Sequence, residues 1–336
     1  MTAGTRTGSD YAALSRIVRD AGLMERRPGR YAVQVALTAA ALVGTWAAFA
    51  LLGDTWWQLV TAVVLAVVWT HVSFIGHDAG HKQILRGRKA NDAVGLALGG
   101  LVGLSYGWWV GKHNRHHANP NHEDDDPDLD ISVLAFSEGQ GADKRGIARF
   151  ITKHQAFLFL PLLFLEGWSL HWSGISAVWH DEIKRRWLEL ALLLVHTATY
   201  TAAVFLVLSP LKAVAFIVLH QGLWGVYMGL AFAPNHKGMP TTTGEQEWDF
   251  LRKQVLTSRN VDGGPWVDVA LGGLNHQIEH HLFPSMPRAN LRRSRTVVRE
   301  FCATHDIPYH QTTLVRSYAE VLGHLHAVGA PLRARG

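Results

Sequence analysis

Cysteine is nearly absent. A single Cys302 in 336 residues excludes an internal disulfide and any cluster held by four cysteines of this chain. No G-x-G-x-x-G run occurs, so no dinucleotide-binding turn is recognisable. Charge is missing in a patterned way. Tyr31 to Leu52 has no charged side chain, and Trp56 to Ile75 has only His71. Leu190 to Ser209 and Ala213 to Ala233 carry one histidine each, His196 and His220. Each run has about the 20 residues that an apolar helix needs to cross a bilayer core. Four spans in two hairpins are predicted, because soluble cores seldom hold four such runs. The first run lies behind a mostly polar leader and is too long for a secretory signal core, so the chain is expected to stay in the membrane.

The net charge of +5 comes from basic residues that flank the spans. Arg26, Arg27 and Arg30 precede the first, and Lys82, Arg86, Arg88 and Lys89 follow the second. Lys184, Arg185 and Arg186 precede the third, and Arg252, Lys253 and an arginine-rich tail follow the fourth. By the positive-inside rule both termini, the long loops and any site they carry are expected to be cytoplasmic. The basic residues are not interleaved with aromatics on a strand platform, so nucleic acid is not an expected partner.

Histidine is what the chain has in abundance. Three clusters, His77-x-x-x-His81, His113-x-x-His116-His117 and His276-Gln277-x-Glu279-His280-His281, hold eight of the 20 histidines. Residues at i, i+3 and i+4 share one helix face, so each cluster aims two or three imidazoles in one direction. One zinc usually takes four ligands, so this many nitrogens suggests two transition metals. Two further apolar stretches decide whether the clusters meet. Ala93 to Val110 is rich in glycine (Gly95, Gly99, Gly100, Gly103, Gly107) and ends in Trp108-Trp109; it is expected to be re-entrant or interfacial, since a crossing would put His113 on the wrong side. Gln155 to Trp179 is broken by Pro161, Glu166 and His171 and is expected to be an interfacial helix.

In order, the boxes HxxxH, HxxHH and QxxHH, with His116-His117-Ala118-Asn119-Pro120 running into Asp126-Pro127-Asp128, and Asn275 through Leu282-Phe283-Pro284 to Pro287-Arg288, resemble the integral-membrane fatty acid desaturases. The resemblance covers roughly residues 30 to 310 and is nearest to acyl-CoA or linoleoyl-CoA-type desaturases. It implies an all-α membrane protein: four transmembrane helices in two hairpins, with a cytoplasmic helical cap carrying a histidine-rich di-iron site. The organisation expected is a cytoplasmic N-terminal segment (1–30), the desaturase domain (31–310) and a C-terminal cytoplasmic tail (311–336).

The resemblance also implies the site. His77, His81, His113, His116, His117, His280 and His281 are expected to ligate metal. His236, just past the fourth span, stands about where related enzymes place an extra ligand. Where the family has a ligand before the last His-His pair this chain has Gln277, a poorer one. The adjacent His276 either ligates or donates to a carboxylate. Asp78, Asp128, Gln277 and Glu279 are expected behind the ligands, since metal-bound imidazoles donate their second N–H to such groups. His122 is expected in a loop. His71, His196 and His220 lie inside spans and are read as tunnel-lining or helix-bonding residues. Gly222, Gly225 and Gly229 either leave room for a chain or pack helices closely.

The implied activity is O2-dependent introduction of a cis double bond into a fatty acyl chain, CoA- or lipid-linked, using two iron ions (Fe2+/Fe3+). Nitrogen ligands alone would suit zinc or copper as well. Without an HPGG haem motif in this sequence, electrons are expected from a separate ferredoxin or cytochrome b5-type donor with its reductase. Two other functions compete. A hydroxylase of fatty acids or hydrocarbons would use a similar site. A membrane metal transporter would place its ligands mid-span, whereas these cluster at span ends.

Overall fold

The computed structural model describes residues 9–180, 183–244 and 248–334. Helix α1 (Asp10–Asp20) starts at Ser9, whose hydroxyl accepts the Ala12 N–H. The first hairpin pairs α2 (Pro28–Leu52) with α3 (Gln58–Gly80). Pro28 suits the opening turn, having no N–H to leave unpaired, and Gly53 turns the chain at φ +61°. Next come α4 (Arg88–Val102), α5 (Tyr106–Ala118), α6 (Glu138–Asp143), α7 (Gly146–Lys153), α8 (Gln155–Leu163) and α9 (Glu166–His180). The second hairpin pairs α10 (Arg186–Val207) with α11 (Pro210–His236). The remainder is α12 (Phe250–Leu256), β1 (Asn260–Asp262), α13 (Pro265–Ala270), α14 (Gln277–Leu282), α15 (Arg288–Thr304), β2 (Gln311–Thr313) and α16 (Leu314–Ala334).

Helices α2, α3, α10 and α11 are long and apolar enough to cross a membrane. They coincide with the four charge-poor runs, each extended by a few residues. Phe49, Trp69, Phe216 and Trp224 pack between the hairpins, while Leu51, Leu206 and Leu211 face outward, as lipid contact requires. The two hairpin turns touch. The Ser209 N–H and hydroxyl donate to Asp54 Oδ1 at 2.9 and 3.1 Å, and Lys212 Nζ lies 3.2 Å from Asp54 Oδ2. Both turns therefore occupy one end of the bundle. The C-terminal ends of α3 and α11 lie at the other, under the cap.

The glycine-rich stretch does not form one straight helix. Helices α4 and α5 meet at a bend of 111°. Gly103 makes the break at φ +71°, where a Cβ would lie 2.6 Å from the His196 ring. The Ser105 hydroxyl then caps α5 by accepting the Trp108 N–H at 3.3 Å. The bend brings α5 back to the end of α3, as the re-entrant reading requires.

Helix α9 has one face on the bundle, while Trp172 and Trp179 stay exposed. Gly167 abuts the Gln221 carbonyl, part-way along α11, where a Cβ would be 2.4 Å away. His171 lies 3.1 Å from Gln221 Oε1 and donates from Nδ1 to the Gly103 carbonyl at 2.8 Å. These partners hold the histidine-bearing face of α9 against the bundle. The same contact settles the α11 glycines. A Cβ on Gly222 would be 2.1 Å from the Phe164 ring, and on Gly229 2.3 Å from Leu163. They pack α8 and α9 closely against α11 and leave no room for a substrate there.

In the cap, Leu14, Val18, Leu251, Ile278, Leu291 and Val298 form a core joining α1, α12, α14 and α15. Residues 311–334, read from the sequence as a tail, form an integral part of the structure. Strand β2 pairs in parallel with β1, Val261 opposite Thr312. Helix α16 buries Val321 and Leu325 against Phe159 and Ala233.

Candidate metal centre

Four elements deliver histidines to one buried region. His77 is in the last turn of α3 and His81 caps it; His113, His116 and His117 line one face of α5; His236 ends α11; His280 and His281 lie on α14. They sort into two groups, each compact enough to hold a metal ion: His77, His81, His113 and His280, and His116, His236 and His281. His117 joins them. Its Nε2 lies 3.1 Å from Nε2 of both His113 and His280, and its ring stacks on His281 at 4.1 Å.

The proton arrangement tests whether cations fit. His236 Nδ1 donates to the Thr257 carbonyl at 2.9 Å. His281 Nδ1 donates to Gln254 Oε1 at 2.8 Å; the Gln254 amide is fixed because its Nε2 donates to the His117 carbonyl. A neutral imidazole carries one N–H, so both Nε2 atoms are bare lone pairs. They face each other at 3.0 Å, fully buried. Two buried lone pairs at that distance repel unless a cation lies between them. In the other group His77 Nε2 is buried without a hydrogen-bond partner, and His81 and His113 bring their Nε2 atoms to 2.9 Å. The donor set therefore fits two transition-metal ions.

Gln277 stands nearer than a supporting position. Its Nε2 is 2.8 Å from His236 Nε2, and its Oε1 is buried without a partner. Turning the amide over would present that oxygen to a cation held by the His236 group.

Among the expected supporting residues, Asp78 lies beside its neighbour His77 (3.4 Å) and is paired with Arg288 at 2.7 Å. Asp128 Oδ2 lies 3.5 Å from His116 Nδ1. Asp126 is the closer partner, with both oxygens at 3.0 Å. Burial works to raise the Asp128 pKa, but Lys112, His116 and Lys237 outweigh it and hold the carboxyl well below its usual range.

Two expected residues lie elsewhere. His276 belongs to neither group. It is the N-cap of α14 with φ −103°, outside the helical face of His280 and His281, and its Nε2 lies 3.0 Å from Asp268 Oδ1. The i+4 pairing with His280 fails because the helix begins one residue later. The contact with Asp268 matches the second of its two expected roles, and its Nδ1 is buried without a partner. Glu279 points away from the histidines and accepts from Asn260 Nδ2 and Tyr309 OH, both at 2.8 Å. Burial there raises its pKa despite these bonds. His122 lies in a loop, with Nε2 donating to the Gly244 carbonyl.

Sequence reading missed Asp126, Gln254, Asp268, Arg288 and Glu189. Two of them had a local signal: Asp126 in the acidic run beside the second box, and Arg288 in the words that follow the third. Glu189 is buried on α10 and reaches the start of α5, where it accepts from Ser105 Oγ at 2.5 Å and from the Gly107 N–H at 3.0 Å. It fixes the pitch of the helix that carries three histidines. Glu189→Ala is expected to cost about 1–3 kcal/mol by stranding these buried donors. Thermal unfolding in detergent should show a lower midpoint together with reduced metal content, and Glu189→Gln, which keeps an acceptor, should lose less.

An apolar crevice leads to the first group. Val72, Ser73, Gly76 and His77 of α3, Leu98 and Val102 of α4, Tyr106 and Trp109 of α5, and Met228 and Phe232 of α11 are among its lining residues. Trp109 stacks on His113 at 4.6 Å and fills the space over Gly80.

Residues 54–313 match the model of the family described as fatty acid desaturase. The chain is 31% identical over 299 residues to a Delta(6)-fatty-acid desaturase of Caenorhabditis elegans, covering 83% of this chain and 66% of that one. It is 31% identical over 281 residues to an acyl-lipid (9-3)-desaturase of Physcomitrium patens, covering 80% and 53%. It is 29% identical over 337 residues to fatty acid desaturase 3 of Bos taurus, covering 97% and 74%. The chain thus spans about half to two thirds of the length of the first two. The matched region contains all the histidines of the two groups, from His77 to His281, and on that match the chain belongs to the fatty acid desaturase family.

Proposed function

We propose that this chain is a membrane-bound, O2-dependent desaturase that introduces a cis double bond into a fatty acyl chain, CoA- or lipid-linked. The observation that carries the reading is the apolar crevice ending on His77, beside two buried histidine groups. His77, His81, His113, His117 and His280 hold one iron ion, and His116, His236 and His281 with Gln277 hold the other. Bound iron supplies the activation of O2 that an unactivated methylene C–H demands, since acid–base groups find no acidic proton there.

The chain's own residues orient and exclude. Asp126, the Thr257 carbonyl and Gln254 keep the protons of His116, His236 and His281 on Nδ1 and leave each Nε2 free to ligate. Trp109 shields His113 from the crevice side. The crevice walls set which carbons come near His77. The acyl substrate agrees with the names of the relatives, which include an acyl-lipid and a Delta(6)-fatty-acid desaturase. Electrons come from a ferredoxin or cytochrome b5-type protein with its reductase. Exposed basic residues such as Arg86, Arg88, Lys89 and Arg293 steer an acidic donor. The bias of basic residues to the capped end supports a cytoplasmic site and cytoplasmic termini.

The test is co-expression with a donor and reductase, followed by mass spectrometry that locates double bonds in cellular acyl chains. A new alkene is expected, absent without the chain. A hydroxylated product with no alkene would overturn the reading in favour of an oxygenase.

A further inference from the structure

Three glycines line the crevice: Gly76, Gly95 and Gly99. Protein packing accounts for two of them. A Cβ on Gly95 would be 2.1 Å from the Tyr106 ring, and on Gly99 2.7 Å from the Leu104 carbonyl. Gly76 is different. The nearest atom its Cβ would meet is Leu98 Cβ at 3.9 Å, an ordinary contact. Glycine inside a helix is about 1 kcal/mol less favourable than alanine, and here no neighbour requires it.

What a side chain at this position would occupy is the crevice itself, immediately before His77 and one turn from Ser73. We infer that Gly76 is a specificity-determining residue: its missing side chain leaves the width through which an acyl chain runs along α3 past the His77 group. The inference rests on the desaturase reading and assigns its chain selectivity to one position. Ser73 continues the opening, since its hydroxyl is turned back to the Trp69 carbonyl at 2.9 Å. The path from His77 to Val72 covers about 7.5 Å of helix rise, so a blockage at Gly76 lies near its head.

The test uses the iron-loaded full chain with donor and reductase, supplied with saturated acyl chains of graded length. G76A and G76V are compared with wild type, and G44A serves as control because nothing approaches a Cβ at Gly44. G76V is expected to lower kcat/KM for the longest accepted chain by about tenfold or more, the discrimination one methylene carries in an apolar pocket. Iron content and unfolding midpoint should stay at wild-type values. G76A should shift the profile in the same direction by less, and G44A should leave it unchanged. Binding of a radiolabelled saturated fatty acid should weaken in parallel.

An unchanged length profile and unchanged binding in G76V, with iron and midpoint retained, overturn the inference while the desaturase reading stands. A wild type that makes no alkene, but whose fatty-acid binding falls in G76V, overturns the reading and keeps the crevice assignment. If G76V loses iron or stability, G76A decides, since its methyl has room; an unaltered profile there overturns the inference.

Discussion

His117→Ala is expected to abolish product formation and to lower the iron content of the purified protein. The other histidines each belong to one group, whereas His117 lies between both. Its Nε2 touches two nitrogens of the first group, and its ring packs flat on His281 of the second. Removing it would delete a proposed ligand and the wall that separates the groups. Loss of a residue behind a ligand typically costs 10–100-fold in metal affinity or activity, so loss of a ligand itself should exceed about 100-fold. Metal analysis of the detergent-purified variant, with turnover measured on the same sample, checks this. Full activity with full iron would remove His117 from the proposed site. The chain should remain folded, because the spans and the cap core do not depend on this side chain.

The second large effect is on stability. Arg288 forms an ion pair with Asp78 Oδ2 at 2.7 Å and donates to the Phe74 carbonyl at 2.6 Å, and Asp78 is only 2% exposed. Replacing Arg288 by leucine leaves a buried carboxylate without its cation, a change that costs about 3–5 kcal/mol. The unfolding midpoint should fall steeply. Adding Asp78→Asn to Arg288→Leu should recover part of the loss, because the stranded charge is gone. No recovery in the double variant would mean that the pair acts through packing alone. The close fit of Arg288 over Gly273, where a Cβ would meet its Cγ at 2.5 Å, makes both positions intolerant of larger replacements.

The spans and the histidine boxes were legible because both are local patterns. A run free of charge over some twenty residues declares itself, and so does i, i+4 spacing. What escaped depends on contacts between distant segments. Asp126 outranks Asp128 at His116 only after the loop folds. Gln254 reaches His281 from another helix, and Glu189 reaches α5 from the second hairpin. His276 and Gln277 exchange places for a reason that sequence adjacency hides. Gly272 and Gly273, at φ +60° and +81°, deliver His276 to the N-cap, so Gln277 is the first residue on the face shared with His280 and His281. Glu279 falls on the opposite face and is held by Asn260 and Tyr309. In the apolar stretch 155–179 nothing local shows that His171 has partners on α11 and at Gly103. The packing of residues 311–334 was hidden for the same reason, since the strand that pairs with β2 lies some 50 residues earlier.

The distribution of the ligands along the chain sets an order of biosynthesis. His77 and His81 emerge early, but neither histidine group is complete before His280 and His281 are made. Arg259, which donates to the Pro234 and Lys237 carbonyls on either side of His236, is tied to Glu320 of α16, which is made later still. At about 5–20 residues per second, roughly 10–40 s separate the first box from the last. Membrane insertion of both hairpins therefore precedes metallation, and a ribosome-stalled chain ending before His280 should integrate into the bilayer without retaining iron.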